Sequence, residues 1–418
     1  MSNSAFLTLV RQSWRSIWRN WRRTLITVSA ISLGVGMAVL FMALAQGVYS
    51  EMIDTAVKSL GGHFTIEHKD YRDSPSVDLF VDNAQVLQKK IEAFPEIKGS
   101  KVLVLGQGVY KSARGTTGGL IMGINPATEK LISDLPEKMV EGEYLKAEDK
   151  GKVIVGKTIA DQLKLKVGRK IIVSTNDVEG ELSEYRYRVT GIFETKSPEL
   201  DAAVIQMTVA TAQQLFGLEE DQVSQLGFLV KNPGDRDEIL EQASGLTTTH
   251  GGSLVALPWE TVQKELADYI RVDRGGNWIM QVIIIGLCLF TIWNTILMSV
   301  LERSREFAVM LALGTSYLRI RSQVAIESVF IGLFGVFAGL AWGGGLAAYL
   351  GQKGLDIMDL TGGKETNVAG FAIEGIIYPK VEPEFLLYFG GGVFFTALLM
   401  SVFASQNVQK IKVTDVLR

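Results

Sequence analysis

TLITVSAISLGVGMAVLFMALAQGV, Thr24 to Val48, carries no charged residue, and about 20 apolar residues suffice for a helix to cross the hydrocarbon core of a bilayer. Three later stretches have the same character: WIMQVIIIGLCLFTIWNTILMSV from Trp278 to Val300, a run from Val324 to Leu350, and one from Phe385 to Ala404. None contains Lys or Arg, and Glu327 is the single acid among them. The chain therefore reads as a membrane protein with four transmembrane α-helices. The long segment between the first two spans is a domain outside the bilayer.

Basic residues close to the spans set the orientation. The segment before the first span holds Arg11, Arg15, Arg19, Arg22 and Arg23 and no acid. The loop between spans two and three holds Arg303, Arg305, Arg319 and Arg321, and the tail holds Lys410, Lys412 and Arg418. These segments belong on the cytoplasmic side, with both termini. The division is 1–23, a cytoplasmic amphipathic interfacial helix; 24–48, span one; 49–277, the extracytoplasmic domain; 278–300, span two; 301–323, a cytoplasmic loop. Then follow 324–350, span three; 351–384, an outer loop; 385–404, span four; and 405–418, a cytoplasmic tail. Ala43-Leu44-Ala45 has the form of a signal-peptidase site. The apolar core before it exceeds the usual ~7–15 residues, so span one is expected to be retained.

Within 1–23, Leu7, Val10, Trp14, Ile17, Trp18 and Trp21 recur at helical spacing, and Arg11, Arg15, Arg19 and Arg22 fill the other side. A helix with a Trp face and an Arg face lies in the membrane interface, with lipid as its partner. In span three Gly335, Gly339 and Gly343 are four apart, beside Gly332, and span one has Ala30, Gly34 and Ala38. Small residues let helices approach closely in lipid, within one chain or across a dimer. Asn294 is a polar residue at membrane depth, suited to a substrate path or to a helix–helix hydrogen bond.

A net charge of −3 over 418 residues argues against a nucleic-acid partner. One cysteine, Cys288, excludes an intrachain disulfide and a Cys-based metal cluster, and His63, His68 and His250 lack metal-ligand spacing. Residues 49–277 mix strand-like runs (63–68, 101–110, 119–123, 153–155, 170–174, 185–193, 203–207) with helical ones (85–94, 158–163, 209–216), giving an α+β domain. Val272 to Asn277, VDRGGN, is expected to be a hinge, with Gly275-Gly276 as breaker. Gly151 to Thr158, GKVIVGKT, satisfies the phosphate-loop pattern letter for letter. Its centre, Lys-Val-Ile-Val, favours a strand rather than a loop of inward N–H groups, so nucleotide binding is not expected. No nucleophile elbow, H-E-x-x-H or G-x-G-x-x-G is present, and no catalytic residue is assigned.

The loop SVLERSREFAVMLALGTS, Ser299 to Ser316, pairs charges with an apolar face of Phe307, Met310 and Leu311. Such a short helix suits docking in a groove of a soluble partner. The segment resembles the coupling helix of the FtsX-like and MacB-like ABC transporter permeases, whose pattern E-R-x-x-E-h-x-h-x-x-x-x-G falls on Glu302, Arg303, Glu306, Phe307, Val309 and Gly314; Arg305 and Leu311 lie within it. The tail QKIKVTDVLR, Gln409 to Arg418, is similar to the family's ending, and the order of parts matches over essentially the whole chain. Val153 to Val173 and Val189 to Gly217 resemble elements of the lipoprotein-releasing subunits LolC and LolE. The connection Ser174 to Tyr187 is short and lacks the proline-containing hook of the carrier-recruiting subunit.

The resemblance implies a MacB-type periplasmic domain in a bacterial inner (cytoplasmic) membrane. It implies a non-catalytic permease driven by two copies of a separate cytoplasmic ABC ATPase, which alone binds ATP and Mg, and a second permease chain as homo- or heterodimer. The cargo it implies is a lipoprotein, with release to a periplasmic carrier. Phe41, Met42, Trp278, Met280 and Ile283 would then wall an acyl-chain cavity, since Met and aromatic side chains suit such a ligand. Two other readings fit the same layout: mechanotransmission to a periplasmic hydrolase, as in FtsX-like systems, and MacB-like efflux of peptides or macrolides.

Overall fold

The computed structural model describes residues 3–19, 21–133, 135–195, 198–248, 253–356, 367–368, 371–372 and 376–406; His250 and the tail Gln409 to Arg418 lie outside them. Two compact units divide inside two long helices, between Ser50 and Glu51 and between Ile270 and Arg271. The chain opens with α1 (Asn3–Arg19) and α2 (Trp21–Leu60).

The inserted domain is a mixed ten-stranded sheet. Its strands are β1 (Phe64–His68), β2 (Ile97–Ser112), β3 (Gly115–Ile124), β4 (Met139–Gly142), β5 (Lys152–Gly156), β6 (Lys170–Asn176), β7 (Leu182–Phe193), β8 (Val204–Thr208), β9 (Gln225–Val230) and β10 (Leu254–Pro258). The order is β10-β1-β9-β2-β3-β8-β5-β7-β4, with β6 paired to both β2 and β7. The β3–β8 and β5–β7 pairs are parallel and the others antiparallel. Its helices are α3 (Ala84–Glu92), α4 (Pro126–Ile132), α5 (Lys157–Leu163), α6 (Pro198–Ala203), α7 (Val209–Phe216), α8 (Arg236–Thr248) and α9 (Trp259–Val262). Leu87 and Ile91 of α3, Ile159 of α5 and Phe216 of α7 join Phe64, Tyr110 and Phe228 of the sheet in one buried core.

Three strands escape a period-2 reading. In β9 every residue of QLGFLV is buried, so no alternation exists, and Gly227 resembles a breaker. It is glycine because a Cβ there would stand 2.0 Å from the carbonyl oxygen of Gly61. The short β4 and the edge strand β10 carry no stronger pattern. The phosphate-loop look-alike is β5 running straight into α5, and its Lys157 ammonium pairs with Glu194 at 2.7 Å. Inside this domain Lys101 is almost fully buried; its ammonium donates to Glu129 at 2.9 Å and to the carbonyl of Lys58, in the last turn of α2, at 2.6 Å. A positive charge at a helix C-terminus is stabilised by the exposed carbonyls there.

The helical unit continues with α10 (Lys264–Glu302), α11 (Ser304–Ala312), α12 (Tyr317–Lys353) and α13 (Pro383–Ser405). Among the described residues α2, α10, α12 and α13 are long and apolar enough to cross a membrane. The helices overrun the spans read from sequence, because an apolar stretch marks the membrane and not the helix. The hinge expected at Val272–Asn277 is helical, a correction to the sequence reading. Each interior glycine costs only about 1 kcal/mol, and tertiary contacts flank this pair. Asp273 accepts from the Tyr49 hydroxyl, Asn277 donates to the same oxygen at 2.6 Å, and the Arg274 guanidinium lies 5.4 Å over the Tyr49 ring.

Gly335, Gly339 and Gly343 face α2 of the same chain. A Cβ on them would stand 2.7 Å from Ile31, 2.7 Å from Val35 and 2.5 Å from the Gly36 carbonyl oxygen, respectively. The Trp342 indole donates to Ser32 at the same contact. Helix α10 meets α2 through Thr295 and Thr27, 3.2 Å apart, and through Gln281, which donates to the Ala38 carbonyl at 3.3 Å. Glycine contacts and interhelical hydrogen bonds are what hold helices together where lipid removes the hydrophobic drive.

Candidate functional site

Arg303 is the one residue between α10 and α11. Its guanidinium is buried, so it needs partners, and three helices supply them. It donates to Glu327 of α12 at 3.0 Å, to Ser16 of α1 at 2.9 Å and to Glu306 of α11 at 3.2 Å, and it stacks over the Phe307 ring at 5.0 Å. Glu327 is equally buried and lies 3.7 Å from Arg23 of α2. Arg23 also binds Glu302 at 2.8 Å and Ser299 at 3.0 Å, and Arg19 of α1 clasps both oxygens of Glu306 at 2.8 Å. Three arginines (19, 23, 303) thus face three glutamates (302, 306, 327) with no net charge. Hydrogen bonds from Arg19, and then the nearby Arg303, hold the Glu306 carboxyl below the usual carboxylate range.

This geometry revises the apolar face expected for the loop. Phe307 and Ala308 are fully buried in the helical core, and Met310 and Leu311 pack against it from partly buried positions. The helix turns its hydrophobic side inward, onto the apolar core formed by α2, α10, α12 and α13. Glu302 and Glu306 are occupied within the chain. Arg305 is exposed. Gly314 closes α11 with φ +88: its N–H reaches the Leu311 carbonyl and that of Thr315 reaches Met310, the paired bonds of a left-handed helix stop. Nothing lies within 4 Å of where its Cβ would be, so backbone conformation alone requires glycine. The apolar groups presented outward are Val309, Leu313 (81% exposed) and Leu318 (71% exposed). Sequence reasoning missed these, and missed Ser16, Arg23 and Ser299. The lone acid Glu327 was the signal that an arginine had to stand beside it.

Helix α1 has three edges. Leu9, Ser13 and Ile17 are buried, and the Ser13 hydroxyl donates to the Gln323 carbonyl of α12 at 3.1 Å. Trp14 meets Phe330 and Phe334 of α12 at centroid distances of 5.7 and 5.8 Å, while Trp18 and Trp21 are exposed. Arg11 and Arg15 are exposed without ion-pair partners among the described residues, whereas Arg19 is turned to Glu306. Among the described residues, Phe41, Met42, Trp278, Met280 and Ile283, expected to wall an acyl-chain cavity, do not share one pocket. Phe41, Trp278, Met280 and Ile283 lie on the exposed surface, and Met42 instead borders a small pocket with Gln46, Lys380 and Phe385. Long apolar side chains at these positions face outward because Ala38 and Gln281 already fill the contact between their two helices. No cluster of metal-ligating side chains occurs among the described residues.

Four membrane-length helices, with a mixed-sheet domain inserted after the first, define a polytopic membrane protein with one large domain outside the bilayer. Residues 24–246 match the MacB-like periplasmic core domain, and residues 278–413 match the FtsX-like permease C-terminal domain. The chain belongs to the MacB-like and FtsX-like family of ABC transporter permeases. It is similar to the lipoprotein-releasing system transmembrane protein LolC of Neisseria meningitidis serogroup B, with 22% identity over 77% of this chain and 76% of the relative. It is also similar to LolE of Haemophilus influenzae, with 22% identity over 78% of each. With the macrolide export ATP-binding/permease protein MacB of Hyphomonas neptunium it shares 23% identity over 83% of this chain and 54% of the relative.

Proposed function

We propose that this chain couples a separate cytoplasmic ATPase to its outer domain, and that the cargo moved is a lipoprotein extracted from the inner membrane. Both termini and the α11 loop then face the cytoplasm, as the arginines near the spans favour. The observation that carries the reading is the outward knob of Val309, Leu313 and Leu318 on a loop keyed to α1, α2 and α12 by six paired charges. A partner that pushes the knob moves a rigid short helix, and the ion pairs pass that displacement to three other helices. ATP and Mg are bound by the ATPase, two copies of which serve two permease chains, and this chain needs no cofactor. The lipoprotein cargo rests on relatives named for lipoprotein release that match three quarters of this chain.

One observation bears on the carrier. The β6–β7 connection is a closed turn: Asp177 accepts from the N–H groups of Glu179 and Glu181, and Gly180 has φ +83. So compact a turn offers no extended hook, which favours the partner subunit over the carrier-recruiting one. The test is purification of the chain from its native membrane in mild detergent, with mass spectrometry of what it retains. An ABC ATPase with acylated lipoproteins is the expected result, and both are lost in Leu313→Asp/Leu318→Asp if the knob is the docking site. A periplasmic hydrolase or an exit duct beside the ATPase would replace the cargo assignment, and no ATPase at all would overturn the coupling role.

A further inference from the structure

One face of the outer domain's sheet, where β5, β7, β6 and β2 lie side by side, is basic. Lys152 of β5 and Lys170 of β6 are both register partners of Arg188 on β7, and in the next row Arg186 lines up with Ile172 and Lys111. Residues directly opposite on neighbouring strands share a face. The other face of these strands holds Tyr110, Ile171, Val173, Tyr187 and Val189, all in the buried core. The turn leading into β6 adds Lys164, Lys166 and Arg169, and it is held against β7 by the Gly168 N–H, which donates to the Val189 carbonyl at 2.7 Å.

Two of these cations have an acid at hand: Lys152 pairs with Asp149 at 2.6 Å and Lys111 with Glu184 at 3.1 Å. Lys164, Lys166, Arg169, Lys170, Arg186 and Arg188 are exposed and make no ion pair among the described residues. The domain as a whole leans the other way, since residues 51–270 hold 34 acids and 25 bases, a net charge of −9. Like charges directly opposite each other destabilise a sheet, and Lys170 opposite Arg188 is such a pair. The fold keeps this repulsion although acids outnumber bases around it.

We propose that this face binds a linear phosphate-bearing polymer outside the bilayer. Strands about 4.8 Å apart spread the cations over a surface instead of converging them on one point, so the ligand has to present several negative charges in a row. Lysine point charges mixed with arginine forks are what a phosphate backbone recruits. The core of a protein interface favours aromatic and apolar groups and is depleted in lysine, whereas the centre of these rows holds Ile172, itself partly buried. The inference uses the position of the domain outside the bilayer and nothing of the ATPase.

The test is fluorescence anisotropy of labelled poly(glycerol phosphate) titrated with the full chain in neutral-lipid nanodiscs, over a series of salt concentrations. Saturable binding that weakens as salt rises is expected. Lys170→Glu should weaken it roughly tenfold or more and also raise the thermal midpoint, because Arg188 then faces an acid. A merely structural lysine would not move the two readouts in opposite senses. Arg186→Gln should weaken binding by a smaller factor, and Lys89→Glu/Lys90→Glu, exposed cations of α3, should leave it unchanged. No saturable binding, unchanged affinity in Lys170→Glu, or an equal loss in the α3 variant would each overturn the proposal. Poly-L-glutamate bound as tightly would overturn the phosphate assignment. An acidic protein retained by the native chain and released by Lys170→Glu would replace the polymer as occupant.

Discussion

The Arg303 guanidinium and the Glu327 carboxylate meet at 3.0 Å with both side chains under one tenth exposed. Two charges taken out of water gain little as a pair over well-packed apolar residues, but breaking such a pair typically costs ~3–5 kcal/mol, since one buried charge is left alone. Glu327→Ala is therefore expected to lower the detergent-solubilised thermal midpoint strongly. Arg303→Met/Glu327→Leu should recover most of that loss. A double-mutant cycle showing no coupling would contradict the contact.

The Arg19–Glu306 pair is half exposed, so its effect on stability should be small, within about 0.2–1 kcal/mol. Its effect on ATPase coupling should be large. Glu306→Arg is expected to abolish coupling, and Arg19→Glu/Glu306→Arg to restore part of it, measured as cargo-stimulated ATP hydrolysis by the reconstituted complex.

The same pair sets a pH dependence. The folded Glu306 carboxyl titrates below its unfolded value, so its contribution is fully present above about pH 4.3 and is lost as pH falls through the depressed value. The stability difference between the native chain and Glu306→Gln should be flat from neutral pH down to that point and shrink only below it.

Lys101→Met strips Glu129 of its cation and the Lys58 carbonyl of its donor. Hydrogen exchange of amides 51–60 in the full chain should accelerate at least tenfold, whereas Lys101→Met/Glu129→Leu should return the sheet to native protection without restoring the end of α2.

Glycines divide by surroundings. Gly343→Ala forces a Cβ against the Gly36 backbone, which cannot yield, and is expected to destabilise by ~1–3 kcal/mol or more. Gly245→Ala, with open space in α8, should stabilise by ~0.4–1 kcal/mol. Thermal unfolding of the two variants decides it.

Most of the architecture is legible in the amino-acid sequence. The four spans follow from run length and charge alone. Strands such as Tyr185 to Phe193 show β-branched and aromatic residues bounded by turns. What escaped reading has a common cause, which is that the deciding partner lies far away in sequence. Gly227 reads as a breaker until Gly61 is beside it, and Gly275-Gly276 reads as a hinge until Tyr49 holds the flanking turn. Phe307 reads as a docking group until the bundle core is present to receive it. The Arg303–Glu327 pair was half legible, because an acid inside a span demands a cation, but only the fold says which one.

That pair also bears on how the protein enters the bilayer. An acid at the start of span three would make that segment the costliest of the four to insert alone, by about 2.5–3.5 kcal/mol at the helix centre on insertion scales and less near its end. With Arg303 leading out of span two and Glu327 leading into span three, the two helices can partition as one neutral hairpin.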